Sequence, residues 1–129
     1  MFLDCVAEST HADSGPHHRW SVSTLFDSLR VPLLNVQNRG TSGTGHGWAG
    51  ANMVLWNCDT EKIKCEDPPA AVNFCIGCKA STQFEGDGHF ESQNEHVQPR
   101  SLYLAQLKDR LGMKAVRNIA TEEQYAFLG

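Results

Sequence analysis

Four things are scarce in this sequence, and each scarcity narrows the reading. No apolar stretch reaches membrane-spanning length, so no transmembrane helix is expected. Met1-Phe2-Leu3-Asp4 lacks the basic and long apolar segments of a secretory leader, so no compartment is assigned. Basic residues are few: 11 Lys and Arg stand against 15 Asp and Glu, for a formal net charge of −4. A general nucleic-acid binder would be basic, so no nucleic-acid partner is expected, although an anionic ligand in a local basic pocket is compatible with that balance. Two-residue hairpin signals are also rare, which argues against a small antiparallel sandwich.

Cysteine is present in an odd number, Cys5, Cys58, Cys65, Cys75 and Cys78. Cys75-Ile76-Gly77-Cys78 has CxxC spacing, but a zinc site wants a second such pair or nearby histidines. Cys58 and Cys65 are seven apart and lie in strand-like sequence. A redox CxxC normally opens a helix, whereas this one follows Ala71-Val72-Asn73-Phe74. Buried apolar thiols inside strands are the simplest reading.

What is present is a globular composition, 40% hydrophobic and 20% charged, in a length that suits one domain, residues 1–129. The chain is organised around Asn38–Gly50, which holds five glycines with Arg39, His46 and Trp48 in 13 residues. Glycine so dense permits close backbone approach, and the loop lies between the apolar runs Val31–Val36 and Met53–Trp56. Strands are expected at Met1–Glu8, Val22–Leu29, Val31–Val36, Met53–Cys58, Lys62–Cys65 and Val72–Cys78, from β-branched and aromatic enrichment between turn signals. Phe-Leu-Asp-Cys, Leu-Phe-Asp and Leu-Trp-Asn-Cys echo one another at solenoid-like intervals, with Asp4, Asp27 and Asp59 at matching positions as turn caps.

The fold expected from this pattern is all-β: a short right-handed parallel β-helix, with coils over 1–80 and long loops 9–19 and 38–50 on one side. Residues 81–98 are expected as loop and 99–129 as a helical C-terminal cap. In that tail, Leu104, Leu107 and Leu111 form one stripe after Pro99, Gly112 stops the helix, and Thr121-Glu122-Glu123-Gln124 matches a capping box. The first strand has no cover on its outer edge, so a homo-oligomer, a dimer first, is expected.

The motifs Ser14-Gly15-Pro16-His17-His18-Arg19-Trp20, Val36-Gln37-Asn38-Arg39-Gly40, Gly43–Gly50 and Val54-Leu55-Trp56-Asn57-Cys58, with Pro99–Leu107, resemble the distal coils and closing segment of large pectate-lyase-like right-handed β-helix proteins. The resemblance spans most of residues 1–112. It implies the same fold, and polysaccharide-lyase chemistry on an anionic sugar. The many upstream coils of those proteins have no counterpart in this sequence.

Such a lyase abstracts a proton beside a uronate carboxylate, which needs a base poised near neutral pH and a cation for the enolate-like carboxylate. Imidazole has that poise, and guanidinium fits a carboxylate with two parallel bonds. His46, His17 and His18 are therefore the candidate bases, with Arg19 and Arg39 as clamps. Trp20, Trp48 and Asn38 are candidate substrate contacts, the indoles as a wall for a sugar ring. Adjacent His17 and His18 point opposite ways in extended chain, so one at most acts. His11, Asp13, His17, His18 and His46 are also of the right type for a divalent ion, but no ligand spacing supports one. No metal and no cofactor are assigned. The alternatives to a lyase-like enzyme are a non-catalytic carbohydrate-binding or self-assembling module, and a shortened scaffold turned to a small molecule as lyase, isomerase or cyclase.

Overall fold

The computed structural model describes residues 1–129. Nine strands and two helices follow in the order β1 (Phe2–Leu3), β2 (Leu25–Asp27), β3 (Leu33–Asn38), β4 (Trp48–Ala49), β5 (Val54–Trp56), β6 (Asp59–Cys65), β7 (Phe74–Ile76), β8 (Lys79–Glu85), β9 (His89–Glu91), α1 (Leu102–Ile119) and α2 (Glu122–Tyr125), with a last 3-10 turn at Ala126–Leu128.

The strands make two sheets. One is wholly parallel in the order β1-β2-β5-β7-β9. The other runs β4-β3-β6-β8, with β4 antiparallel to β3 and the rest parallel. Burial alternates along the strands, so each sheet turns one face inward and its inward residues stack as apolar columns. Register sets Phe26 beside Leu55, Leu55 beside Cys75 and Cys75 beside Phe90. The second sheet aligns Leu34 with Ile63 and Phe84, and Val36 with Cys65. These columns, with Met53, Cys58 and Cys78, form one core. The four cysteines within it are unbonded thiols, and only Cys5 is exposed.

The all-β expectation is overturned. The fold is mixed α/β, two sheets of nine strands plus C-terminal helices, and not a β-helix solenoid. Two observations carry the correction. The helices have a core of their own, with Leu104, Leu107 and Val116 buried and Leu3, Tyr103, Phe127 and Leu128 packed against them. The sequence echo is no regular repeat, since register-equivalent residues Phe2, Phe26, Leu55, Cys75 and Phe90 are separated by 24, 29, 20 and 15 residues. The aspartates also do not match. Leu3 pairs with Asp27, so Asp4 aligns with Ser28, while Asp59 lies beside Arg30 and Lys79.

Residues 81–98, expected as loop, contain most of β8 and all of β9. Lys79-Ala80-Ser81-Thr82-Gln83-Phe84-Glu85 has little apolar alternation, and only Ala80 is fully buried. This strand forms because β6 offers it a parallel partner, a non-local cause that a local pattern does not display. The helical tail follows the expectation more closely. Ser101 caps α1 by accepting from the Leu104 amide, and Gly112 interrupts it at φ 80°, ψ 173° before helix resumes to Ile119. The capping box at Thr121 and Gln124 is formed.

Candidate functional site

Two loops meet on strand β3. The first is tied down by the Ser14 amide donating to the Leu33 carbonyl at 2.9 Å, and by the Asn35 amide donating to the Ser14 carbonyl at 2.9 Å. The second is a tight hairpin. The Arg39 amide donates to the Gly47 carbonyl at 2.6 Å, the Gly47 amide to Gly40 at 3.0 Å, and the His46 amide to Ser42 at 3.0 Å. Gly43 lies directly beneath the His46 ring. A Cβ there would approach Nε2 to 2.5 Å, so the missing side chain is what lets the ring fold back over the loop.

The result brings His17, His18, His46 and Arg39 together. The His18 and His46 rings stand 4.5 Å apart between centroids, tilted by 33°. Arg39 Nη1 donates to the His17 carbonyl at 3.4 Å. His17 Nε2 lies 3.5 Å from Asp13 Oδ1, within ion-pair range when the ring is protonated but too long for a good hydrogen bond. Asp13 is held in turn, because its Oδ2 accepts from Asn35 Nδ2 at 3.1 Å and Gln37 Nε2 at 3.3 Å.

Three buried side-chain polar atoms of the chain lack a hydrogen-bond partner, and all three lie here: His17 Nε2, Asn35 Oδ1 and His46 Nδ1. Native proteins satisfy nearly all such atoms, so a concentration of exceptions calls for a reason at that place.

The other candidates are placed less centrally. Trp48 is half-buried in β4 and Asn38 pairs with it across the hairpin. Asn38 Oδ1 accepts from the Gly40 amide at 2.9 Å and so supports the turn. Arg19 is exposed. Trp20 is 89% exposed and sits at φ 70°, a backbone region in which a bulky residue is a true outlier. Trp20 lies in a turn, which accounts for that backbone conformation.

Asn35 escaped the sequence reading, Gln37 entered it only within the Val36–Gly40 motif, and Asp13 only as a metal-ligand type. The signal was present in Leu34-Asn35-Val36-Gln37. Strand alternation sends Leu34 and Val36 into the core, where both are fully buried, and so sets Asn35 and Gln37 on the opposite face together. No three His, Cys, Asp or Glu side chains converge as a group able to hold a metal ion. Compared with family models, curated proteins and solved structures, the chain finds no match.

Proposed function

We propose that the loops around β3 form a polysaccharide-lyase-like site that performs β-elimination on an anionic sugar. The observation that supports this reading is the gathering of all three unpartnered buried polar atoms, two imidazole nitrogens and the Asn35 amide oxygen, in the loops that Arg39 ties to the His17 carbonyl. Unsatisfied polar atoms in one place are costly unless a ligand completes them.

In the proposed reaction an imidazole, His46 first and otherwise His17 or His18, takes the proton from the carbon next to a uronate carboxylate. That electron pair becomes the new carbon–carbon double bond as the glycosidic carbon–oxygen bond breaks, and the departing oxygen collects a proton. Arg39, with Arg19, neutralises the carboxylate as charge builds on it. Trp48, Trp20 and Asn38 orient the sugar. The same reading takes a second copy of the chain, joined at the edge of β1, as the protein partner.

A panel of uronate polymers, followed by the ultraviolet absorbance of the unsaturated product, tests the proposal. His46→Ala should lower turnover at least ~100-fold, the low end of a general acid–base contribution, while the circular dichroism spectrum stays that of the parent. A folded variant with near-parental turnover removes His46 from the role. The almost fully exposed Trp20 favours a second reading, a non-catalytic carbohydrate-binding module. Uronate polymer bound but never cleaved, with binding lost in Trp20→Ala, would select it.

A further inference from the structure

The largest cleft, about 760 Å³, lies away from the imidazole loops, between the strand turns around Arg30 and Asp59, the segment His96–Arg100, and α2. Its walls are pinned. Asn57 Nδ2 donates to the carbonyls of Val97, Pro99 and Arg100 at 2.8, 3.3 and 3.1 Å, and Asn57 Oδ1 accepts from the Val97 amide at 2.8 Å. Trp56 Nε1 donates to the Pro99 carbonyl at 2.9 Å. On the α2 side, Gln124 Nε2 donates to Asp4 Oδ2 at 3.0 Å. Its volume falls within the range of small-molecule sites, and its walls are fixed by these hydrogen bonds, which spares a ligand the cost of ordering them.

Of the three carboxylates that line it, Asp4, Asp59 and Glu123, two have a charged or imidazole partner. Asp4 is occupied by Arg100, whose Nη1 donates to Oδ2 at 3.3 Å, as well as by Gln124. Asp59 Oδ1 is 2.9 Å from His96 Nε2. Glu123, in the first turn of the four-residue α2, is exposed to solvent. Arg30 is left over. It lies in register between Val6 and Asp59, is exposed, and lines the cleft. Its neighbour Asp59 is spent on His96 rather than on its guanidinium. Guanidinium without a carboxylate partner is the group that binds an oxyanion with paired hydrogen bonds. Eleven of the 14 residues around it are polar or charged, which suits a ligand body carrying hydroxyls rather than an apolar one.

From this we infer that the cleft is a second site, separate from the imidazole loops, for a small oxyanion borne on a polyhydroxylated body, with Arg30 gripping the carboxylate or phosphate and the Asp59-held His96 ring beside it. The test is chemical-shift titration of the whole, isotopically labelled chain with galacturonate, glucose 6-phosphate and glucose in the millimolar range. Backbone signals of Arg30, Asp59, His96 and Gln98 should move with one or both anions and not with glucose. The anion that acts identifies carboxylate or phosphate as the natural group. Arg30→Ala, which keeps the backbone ladder of this position and removes an exposed side chain, should weaken that response at least ~10-fold, the loss of one charge-assisted contact, with the circular dichroism spectrum unchanged. No movement at these signals, equal movement with glucose, or an unchanged response in Arg30→Ala overturns the inference. The outcome is independent of the elimination reading. Shifts confined to Arg39 and His46 would speak for the first site alone, and an inert protein in the uronate assay that still responds at Arg30 would sink only the lyase.

Discussion

Asn57 and Gly77 show how single positions hold the cleft in place. Both follow a strand of the parallel sheet and both adopt positive φ, as do their register neighbours Asp4, Ser28 and Ser92. Chain direction changes at this column, and a left-handed residue is what turns it. At Gly77 there is a second demand, because a Cβ would collide with Asn57 Oδ1 and crowd Val97. Asn57 would then lose its grip on residues 97–100. Gly77→Ala should therefore destabilise the fold by about 1–3 kcal/mol, combining left-handed strain with a displaced buried amide. Urea denaturation checks it. A midpoint equal to that of the parent would mean that Asn57 can move aside freely.

At the scale of elements, the joint between α1 and the first sheet is one buried carboxylate. Asp27 in β2 is fully buried. Its Oδ2 accepts from Ser101 Oγ and from the Tyr103 amide, each at 2.8 Å, and Ser28 Oγ donates to Oδ1 at 3.2 Å. The first turn of α1 has no acidic residue of its own, so Asp27 is the negative group at that helix N-terminus. Burial pushes its carboxyl above the ordinary value of 3.8, against the pull of the Tyr103, Ser101 and Ser28 hydrogen bonds. The native state thus keeps this proton to higher pH than the unfolded chain does. The proton-linked contribution to stability is complete below 3.8 and is lost as pH rises through the elevated native value. Relative to Asp27→Asn, which does not titrate there, the parent should be favoured most in acid and progressively less toward neutrality. Denaturant midpoints of the two proteins from about pH 3 to about pH 7 supply the comparison. A difference that grows toward neutral pH would mean that the hydrogen bonds outweigh burial.

The whole molecule makes two further statements, one about its inside and one about its edge. Inside, four of the five thiols are buried. Burial, and then the charges of Asp67, Asp87 and Glu66, push Cys65 up to about 12. Cys58 and Cys78 also lie well above the ordinary thiol value. Thiolate is the reactive form, so a thiol reagent should titrate Cys5 alone in the native protein and the remaining four only after unfolding. Cys5→Ser should abolish the native reaction. A second fast thiol in the native protein would contradict the packing described. At the edge, β1 ends its sheet, and Phe2, Val6 and Val22 are each more than half exposed. An unpaired apolar strand edge invites another chain, and two-fold closure is the commonest answer. Sedimentation at micromolar concentration should show a dimer. A well-folded monomer there would leave the β1 edge to be covered in some other way.

Local chemistry by itself determined the start of the last helix. The Thr121–Gln124 box acts within a few residues of itself and is readable wherever it occurs, whereas Gly112, expected as the end of the first helix, only interrupts it before it resumes to Ile119. Local chemistry also determined the residue types of the imidazole site and the apolar strands of the core, because glycine spacing and β-branched runs are local quantities. Tertiary structure decided the rest. The sequence echo pointed to an all-β solenoid, yet echo does not set register: Asp4, Asp27 and Asp59 look alike in sequence and face different partners once the strands pair. Polar β8 became a strand only because β6 lay beside it. Asp13 acquired its place near His17 only when Asn35 and Gln37, 22 and 24 residues away along the chain, turned their amides toward it. The cleft at Arg30 draws on residues from Asp4 to Phe127. Contacts between distant segments depend on which strands pair and in what register, and that choice is made by burying the whole core at once rather than by any one stretch of chain.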